Sequence, residues 1–302
     1  MTKTPATKIT AEDLYARIAG ELIEAMSNAD ALGRWQMPWD ITRGLPRNAK
    51  THKAYRGINT LLLLSNGGSS WWATYKQWAE MGAQVRRGEH GIRLVKWVEV
   101  EDRKAAPLAD GSLPTRLVAT TFVVFGAHQV DDAPAFCTEV PNRPPVARDA
   151  ALDAWVVATG IRVRLGGAAA FYSITNDDVT VPSPEAFGDP VDFYATICHE
   201  LAHATGAKHR LDRQFGARFG DSAYAVEELV AELSAAFTLG ALGVTSTPRP
   251  DHAQYLAHWV RVLREEPSII RTVASAAQAA TTWLMDAAAA TEESSEETAE
   301  AA

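Results

Sequence analysis

The most constraining feature of this chain is the run His199-Glu200-Leu201-Ala202-His203, which lies within TICHELAHATG. Because positions i and i+4 of an α-helix share one face, a helix here brings both imidazoles to the same metal ion. The carboxylate between them lies beside that ion, where it can take a proton from the attacking water, so Glu200 is the candidate catalytic base. This H-E-x-x-H pattern is typical of zinc peptidases and predicts a helix that carries a metal site.

A third protein ligand has to come from elsewhere, since catalytic zinc usually has three protein ligands and one open position. The next predicted helix, AYAVEELVAELSAAF, is largely apolar and carries Glu227, Glu228 and Glu232. Glu228 and Glu232 share a face, whereas Glu227 is turned by about 100° from its neighbour. We predict Glu228 as the ligand and Glu232 as the partner of a ligand histidine, with the reverse assignment as the alternative. A set of two histidines and one glutamate predicts one Zn²⁺ per chain, with Mn²⁺ or Co²⁺ as alternatives.

Composition limits the class of protein. The chain has 302 residues, enough for two domains, and 47% of them are hydrophobic, with no apolar run that approaches the length of a membrane span. Two cysteines, Cys137 and Cys198, are too few for a disulfide framework. The opening MTKTPATKITAEDLY lacks the apolar stretch of a signal peptide. We therefore expect a cytoplasmic protein with no membrane partner.

Charge is distributed unevenly along the chain. The net charge is −8, but residues 31–98 carry eleven Lys and Arg against three Asp and Glu, a local balance of +8. Six of the nine Trp lie in the first hundred residues, interleaved with these basic side chains. Aromatic platforms beside cations suit single-stranded DNA, whose bases are free to stack and whose phosphates need neutralising. The candidate contacts are Trp35, Trp39, Arg47, Lys50, Lys53, Tyr55, Arg56, Trp71, Trp72, Tyr75, Lys76, Arg86 and Arg87.

Periodicity along the chain predicts an α+β protein of two domains. The first half contains helices at about 11–28 and 57–66, a short helix in WWATYKQWAEMG, and strands in IRLVKWVEV and TRLVATTFVVFGAHQV. The second half begins with a helix at 147–159 and short strands at 161–165, 170–174 and 178–182. Helices follow at 190–205, 222–242, 251–264 and 267–285. The predicted boundaries are a small α+β domain over 1–135, a linker over 136–146, a metallopeptidase domain over 147–286, and a disordered acidic tail over 287–302.

Ordered blocks of the sequence resemble a known family. PWDITRGLPRNAKTHKAYRGINTLLLL, WWATYKQWAEMGAQVRRGEHGIRLVKW and FVVFGAHQV resemble the N-terminal domain of ArdC-type antirestriction proteins, which also occurs in conjugative plasmid primases. FYSITNDDVTVPSPEAFGDPVDFYATICHELAHATG and HRLDRQFGARFGDSAYAVEELVAELSAAF resemble the zincin-like metallopeptidase domain of the same family. The resemblance covers about residues 10–245. The sequence departs from the family pattern at two places. Ala204 stands where an aromatic residue often follows the second histidine, and Gly126-Ala127-His128 stands where asparagine is common after Phe.

The resemblance implies a single-stranded-DNA-binding domain joined to a gluzincin-like zinc metallopeptidase domain. Such proteins travel on plasmids or phages and help incoming DNA to escape host restriction, so a host restriction-system protein is a candidate partner. The resemblance also assigns His199 and His203 as metal ligands and Glu200 as the catalytic carboxylate. Two alternatives stay open: a DNA-dependent metalloprotease that acts on DNA-bound proteins, and a DNA-binding module whose zincin fold is a non-catalytic scaffold.

Overall fold

Helix signals in the sequence set the first elements of the fold. The computed structural model describes residues 9–28, 44–102, 104–106, 110, 112–138, 149–213, 222–244 and 253–300. Helix α1 (Ala11–Ser27) begins at the capping box of Thr10 and Asp13, in which each side chain bonds to the backbone of the other residue. Its apolar stripe, which includes Ile18 and Leu22, is fully buried. The chain has the predicted α+β fold in two domains.

The remaining helices follow the predicted order closely in the second half of the chain. They are α2 (Ile58–Leu64), α3 (Tyr75–Glu80), α4 (Ala135–Thr138), α5 (Ala150–Ala158), α6 (Pro190–Thr205), α7 (Ser222–Leu242), α8 (Ala253–Glu265) and α9 (Ile269–Glu300). The described part of the chain contains no helix of the length and apolarity that a membrane crossing requires.

The strands form three small sheets. They are β1 (Arg47–Asn48), β2 (Trp71–Ala73), β3 (Gln84–Val85), β4 (Ile92–Glu101), β5 (Thr115–Gly126), β6 (Val130–Asp131), β7 (Arg162–Leu165), β8 (Phe171–Ser173) and β9 (Asp178–Val181). The first sheet has the order β1-β2-β5-β4, and its long antiparallel pair β4–β5 aligns Ile92 with Val124. Strands β3 and β6 pair separately, and the third sheet has the order β7-β9-β8 and packs on α6.

One predicted helix is partly a strand. The sequence predicts a single helix across WWATYKQWAEMG, but Trp71–Ala73 forms β2 between β1 and β5, and only Tyr75–Glu80 is helical. The physical reason is the capping box of Thr74 and Gln77, which starts α3 three residues after Trp71 and leaves the preceding aromatic residues extended.

Residues 287–300 of the predicted acidic tail belong to α9, and residues 301 and 302 lie outside the described residues. The segment is rich in Ala and Glu, which are strong helix formers, and it extends a helix that is already packed through Ala288. Extension of an existing helix carries no nucleation cost, so a high acidic content alone does not prevent it.

The main hydrophobic core joins the two halves of the chain. Side chains of α1, α2 and β4, among them Leu22, Leu61 and Leu94, pack in one cluster with Phe237 of α7 and Val273 of α9. A second cluster lies under the metal motif and includes side chains of α5, β9, α6 and α7 and of the middle of α9. The last helix therefore contributes side chains to both cores, so the two halves of the chain are joined by a continuous packed interior.

Candidate metal centre and nucleic-acid surface

The HELAH run lies in the last two turns of α6. Asp189 caps the start of this helix by accepting a hydrogen bond from the backbone N–H of Val191 at 2.8 Å, and Pro190 occupies its first position. His199 and Glu200 are buried, and the His203 side chain is 12% exposed. The helix thus brings its polar residues inward among apolar neighbours, where their charges need partners.

The two imidazoles face each other through the same ring atom. The Nε2 atoms of His199 and His203 are 3.1 Å apart, and the ring planes are inclined by 80°. Spacing of four residues on a helix produces this contact, as the sequence predicts. Their Nδ1 atoms consequently point away from each other, toward opposite sides of the pair.

Glu228 lies in front of both Nε2 atoms. One carboxylate oxygen is 3.5 Å from Nε2 of His199, and the other is 3.6 Å from Nε2 of His203. Burial raises the pKa of Glu228, but the hydrogen bond with His199, the positive charges of the two histidines and a hydrogen bond from Tyr224 outweigh it and lower the pKa to about 2. Glu228 is thus an ionised, buried acceptor that faces two ring nitrogens.

Two further glutamates of α7 hold the outer sides of the rings. Oε2 of Glu232 is 3.4 Å from Nδ1 of His199, and Oε1 of Glu227 is 3.2 Å from Nδ1 of His203. The contact at His203 is a hydrogen bond, and a carboxylate bonded in this way at Nδ1 favours the tautomer that leaves Nε2 as a lone-pair donor, whereas the contact of Glu232 with His199 is an ion-pair contact. All three glutamates are buried, so α7 supplies one carboxylate to the face of the pair and one to each flank.

Arg213 neutralises the carboxylate on the flank of His203. Its guanidinium donates to both oxygens of Glu227, at 2.8 and 3.1 Å, to the hydroxyl of Thr205 at 2.8 Å and to the carbonyl of Ala202 at 2.6 Å. Burial raises the pKa of Glu227, and the bonds with His203 and Arg213 lower it by more, so the net direction is downward. The arginine also fastens the segment after α6 to the end of that helix.

The chemistry and spacing of these donors fit a metal ion. Suitable atoms of His199, His203 and Glu228 all lie within 4.8 Å of one another. Ligand atoms about 2.1 Å from a tetrahedral ion are about 3.4 Å apart. The 3.1 Å between the two Nε2 atoms is close to this spacing, and Glu228 approaches the two rings through different oxygens, at 3.5 and 3.6 Å.

Sequence reasoning missed two members of this cluster. The 100° rotation of Glu227 from Glu228 argues against a role in the site, yet its side chain reaches Nδ1 of His203. No motif in the sequence indicates Arg213. The available signal was the number of buried carboxylates on an apolar helix, since three of them require more cationic or donor partners than two histidines offer.

The predicted DNA contacts divide into exposed and buried groups. Trp35 and Trp39 lie outside the described residues. In the described ranges the seven predicted basic residues are all exposed: Arg47, Lys50, Lys53, Arg56, Lys76, Arg86 and Arg87. Lys50 and Lys76 both contact Glu80, and Arg86 bonds to Glu89 at 3.0 Å. Arg47, Lys53, Arg56 and Arg87 have no ion pair within the described part of the chain.

The aromatic residues predicted to contact DNA differ in how exposed their side chains are. Tyr75 is 53% exposed and borders a concavity of about 430 Å³ together with Phe125, Arg86 and Arg87. Trp71 is half-buried and packs edge-on against His52 and Phe136, with ring centroids 5.3 and 5.0 Å away. Tyr55 is half-buried, with its hydroxyl bonded to the carbonyl of Trp72 at 3.3 Å.

Trp72, one of the predicted DNA contacts, is instead a residue of the hydrophobic core. Its side chain is fully buried in the shared core, and its indole N–H donates to the carbonyl of Ser69 at 2.8 Å. Successive residues of a strand point to opposite faces, so β2 presents Trp71 outward and Trp72 inward. Composition cannot make this distinction, because it counts both as aromatic residues in a basic segment.

Comparisons with known proteins cover most of the chain. The model of the N-terminal domain of anti-restriction factor ArdC matches residues 12–125, and that of a zincin-like metallopeptidase domain matches residues 150–277. The uncharacterized protein y4eC of Sinorhizobium fredii is 37% identical over 296 residues, covering 93% of this chain and 94% of that protein. The DNA primase TraC of Escherichia coli is 33% identical over 285 residues, but this chain spans only 26% of its length.

Two solved structures are similar to this chain over most of its length. The metal-free crystal structure of the antirestriction protein ArdC from plasmid R388 is 31% identical, has a TM-score of 0.76, and is matched over 92% of this chain and 98% of that one. Its Mn(II)-bound structure matches with a TM-score of 0.73 over the same fractions. With both domains matched in order and a solved relative covered almost completely, this chain belongs to the family of ArdC-type antirestriction proteins.

Proposed function

We propose that this protein is an antirestriction factor of a mobile element that binds single-stranded DNA through its N-terminal half and carries a metal-dependent peptidase site in its C-terminal half. The observation that carries this proposal is the buried pair of histidines with Nε2 atoms 3.1 Å apart, each ring held by a separate glutamate. A purely structural helix contact has no use for two imidazoles and three buried carboxylates.

His199, His203 and Glu228 would hold the ion. Zn²⁺ suits two imidazoles and one carboxylate, and Mn²⁺ is the ion present in the R388 ArdC structure, with Co²⁺ as a further candidate. A divalent ion supplies Lewis acidity toward the carbonyl of a bound peptide. Glu227, hydrogen-bonded to Nδ1 of His203, favours the tautomer that offers Nε2 of that ring, and Glu232 lies 3.4 Å from Nδ1 of His199.

Glu200 is the proposed general base. It lies on the same buried stretch of α6 as the histidines, turned by about 100° from His199 and by about 60° from His203. A carboxylate there accepts a proton from water and returns it to the amine that leaves. The presence of this residue favours a catalytic site over a scaffold that only binds metal.

The N-terminal half supports the DNA-binding part of the proposal. Seven basic side chains are exposed on an otherwise acidic protein, and Tyr75 offers an exposed ring beside Arg87. This combination neutralises phosphates and stacks on unpaired bases. The partial match to the primase TraC is consistent with a domain that handles DNA. A host restriction-system protein is the proposed target of the peptidase half.

The experiment compares restriction of incoming DNA in cells that contain the wild-type protein, Glu200→Gln or Arg87→Gln. The Arg87→Gln variant removes one positive charge from the predicted DNA surface. We expect both substitutions to reduce protection, the first through lost hydrolysis and the second through weaker DNA binding. Full protection by Glu200→Gln would remove proteolysis from the mechanism. Full protection by a variant that no longer binds single strands would remove DNA binding. Hydrolysis of DNA-bound proteins without any effect on restriction would favour the alternative of a DNA-dependent metalloprotease.

A further inference from the structure

A groove of about 610 Å³ runs between the two halves of the molecule. One side is formed by the start of α2 and by the outer strand β4, and the other side by one face of α9. At the closest approach, Gly57 has φ +56 and no side chain, and a Cβ there would lie 3.6 Å from the hydroxyl of Ser275. A side chain at this position would therefore pack directly against α9.

The groove wall on α9 follows helical spacing. Arg271, Ser275, Gln278, Thr282 and Asp286 recur at intervals of three and four residues, so one stripe of the helix faces the groove over four turns. That stripe is about 22 Å long, enough for at most about six stacked nucleotides. Most of it lies beyond both domain matches, which end at residues 125 and 277.

Two aromatic rings and two arginines give the groove its chemistry. Trp97 of β4 is 48% exposed, and the guanidinium of Arg271 lies over its ring with 5.5 Å to the centroid. Trp283 lines the same groove from α9, where it is half-buried against the second core, and the guanidinium of Arg210 lies 5.6 Å from its ring centroid. Arg56 lines the groove from the start of α2. Among the lining residues only Asp286, at the far end, is acidic.

The two arginines keep their charge available. Both are exposed, and within the described ranges neither Arg56 nor Arg271 forms an ion pair. Their spare donors and the partly exposed ring of Trp97 match a chain of stacked bases with phosphates along it. A peptide chain would offer no regular series of anions to these cations, so nucleic acid is the occupant that the charges favour.

We infer that this groove is a second contact surface for single-stranded DNA, in which Trp97 stacks on a base, Arg56 and Arg271 bind phosphates, and Trp283 lines the opposite wall. The inference rests on the proposed DNA binding and extends it from the N-terminal half onto α9. A strand bound here touches both halves of the protein at once. The last helix then has a role in DNA binding in addition to its packing.

The test measures the affinity of the full-length protein for a fluorescein-labelled oligothymidylate of about 20 nucleotides by anisotropy across a salt series. We expect Trp97→Ala to weaken binding by about 5- to 100-fold, the range for loss of one stacked base. Arg56→Gln and Arg271→Gln should each reduce the slope of log affinity against log salt by about 0.7. Lys96→Gln is the matched control, because it removes an exposed charge from the opposite face of β4.

Several outcomes overturn the inference. Unchanged affinity in Trp97→Ala and both arginine variants, with weaker binding in Tyr75→Ala, would reject the groove while leaving the proposed DNA binding intact. Equal losses in Lys96→Gln and Arg56→Gln would indicate a diffuse basic surface instead of a groove. Wild type that binds no single strand at all would defeat the proposed function itself.

Photo-crosslinking provides a second measurement that needs no variant. An oligonucleotide with iodouracil in place of thymine should crosslink to Trp97 or Trp283, as mapped by mass spectrometry. Crosslinks confined to residues of α3 and β3 would contradict the inference. Loss of the crosslinks to Trp97 or Trp283 when a peptide competitor is added before irradiation, with DNA still bound elsewhere, would identify a peptide as the occupant and would equally contradict the inference.

Discussion

The Nδ1 atom of His203 lies 3.2 Å from Oε1 of Glu227, on the side of the ring opposite the Nε2 atom that faces His199. Glu232 lies on the corresponding flank of His199, with Oε2 3.4 Å from Nδ1. The hydrogen bond of Glu227 therefore orients His203 toward the space in front of Glu228, and Glu232 supplies a negative charge on the matching side of His199. Orientation of this kind is what a metal-ligating histidine requires from its surroundings.

Replacement of Glu227 by Gln should weaken metal binding without removing a ligand. The amide no longer accepts the Nδ1 proton with a full negative charge, so the histidine becomes a poorer donor, and affinity should fall by about 10- to 100-fold. Competition with a fluorescent chelator measures this change. Glu99→Gln, at an exposed glutamate of β4, serves as the control. Equal affinity of Glu227→Gln and wild type would show that the flanking carboxylate does not tune the site.

The pair of Asp177 and Arg210 should make stability depend on acid pH. Arg210 donates to both oxygens of Asp177, at 2.7 and 2.9 Å, and this hydrogen bonding holds the pKa of the carboxyl below its ordinary value. A lowered pKa in the folded state means that the stabilisation is complete above about pH 4 and is lost as the pH falls through the folded pKa. The turn it fixes lies between β8 and β9, next to α6.

Asp177→Asn should lower the melting temperature at pH 7 by about 2–5 °C, a modest effect because the carboxylate is 36% exposed. Asn tolerates the positive φ of 50° at this position, so the backbone is not strained by the change. The difference from wild type should shrink below pH 4 and should be absent in Glu185→Gln, an exposed carboxylate. A difference that stays constant down to the lowest pH at which the protein is folded would refute the ion-pair explanation.

Trp72 and Tyr75 should separate stability from DNA binding. Trp72→Phe removes the hydrogen bond to Ser69 and leaves a gap in the core, so the melting temperature should fall while DNA affinity at low temperature is retained. Tyr75→Ala should retain the melting temperature and weaken binding to a single strand by about 5- to 100-fold. Calorimetry and fluorescence anisotropy measure the two effects. The opposite pattern would return Trp72 to the DNA surface.

The sequence predicts most helix bounds well, including those of the helix that carries HELAH, because local periodicity and caps determine them. Helices α6 and α7 coincide with the predicted ranges, and the capping box of Thr10 and Asp13 starts α1 as expected. The choice between Glu228 and Glu232 stays open at that level, since both share a face of α7. Only the packing of α7 on α6 distinguishes the carboxylate that faces Nε2 from the one that faces Nδ1.

Features that depend on tertiary contacts cannot be predicted from the sequence. Glu227 engages His203 because ring nitrogens on opposite sides need partners on opposite flanks, which a single helix face does not reveal. The shared core between α1, α2 and α9 joins residues more than two hundred positions apart. The groove between β4 and α9 follows from that packing, so neither Trp97 nor Arg271 stands out from composition alone.

Metal content per chain tests the central claim most directly. Elemental analysis of dialysed protein should find about one divalent ion per chain in wild type and in Glu200→Gln, which keeps all three donor side chains. His199→Ala and Glu228→Ala should contain none, while His90→Ala, at an exposed histidine, should match wild type. Wild-type protein that stays metal-free after incubation with Zn²⁺, Mn²⁺ or Co²⁺, or full occupancy in both His199→Ala and Glu228→Ala, would contradict the account.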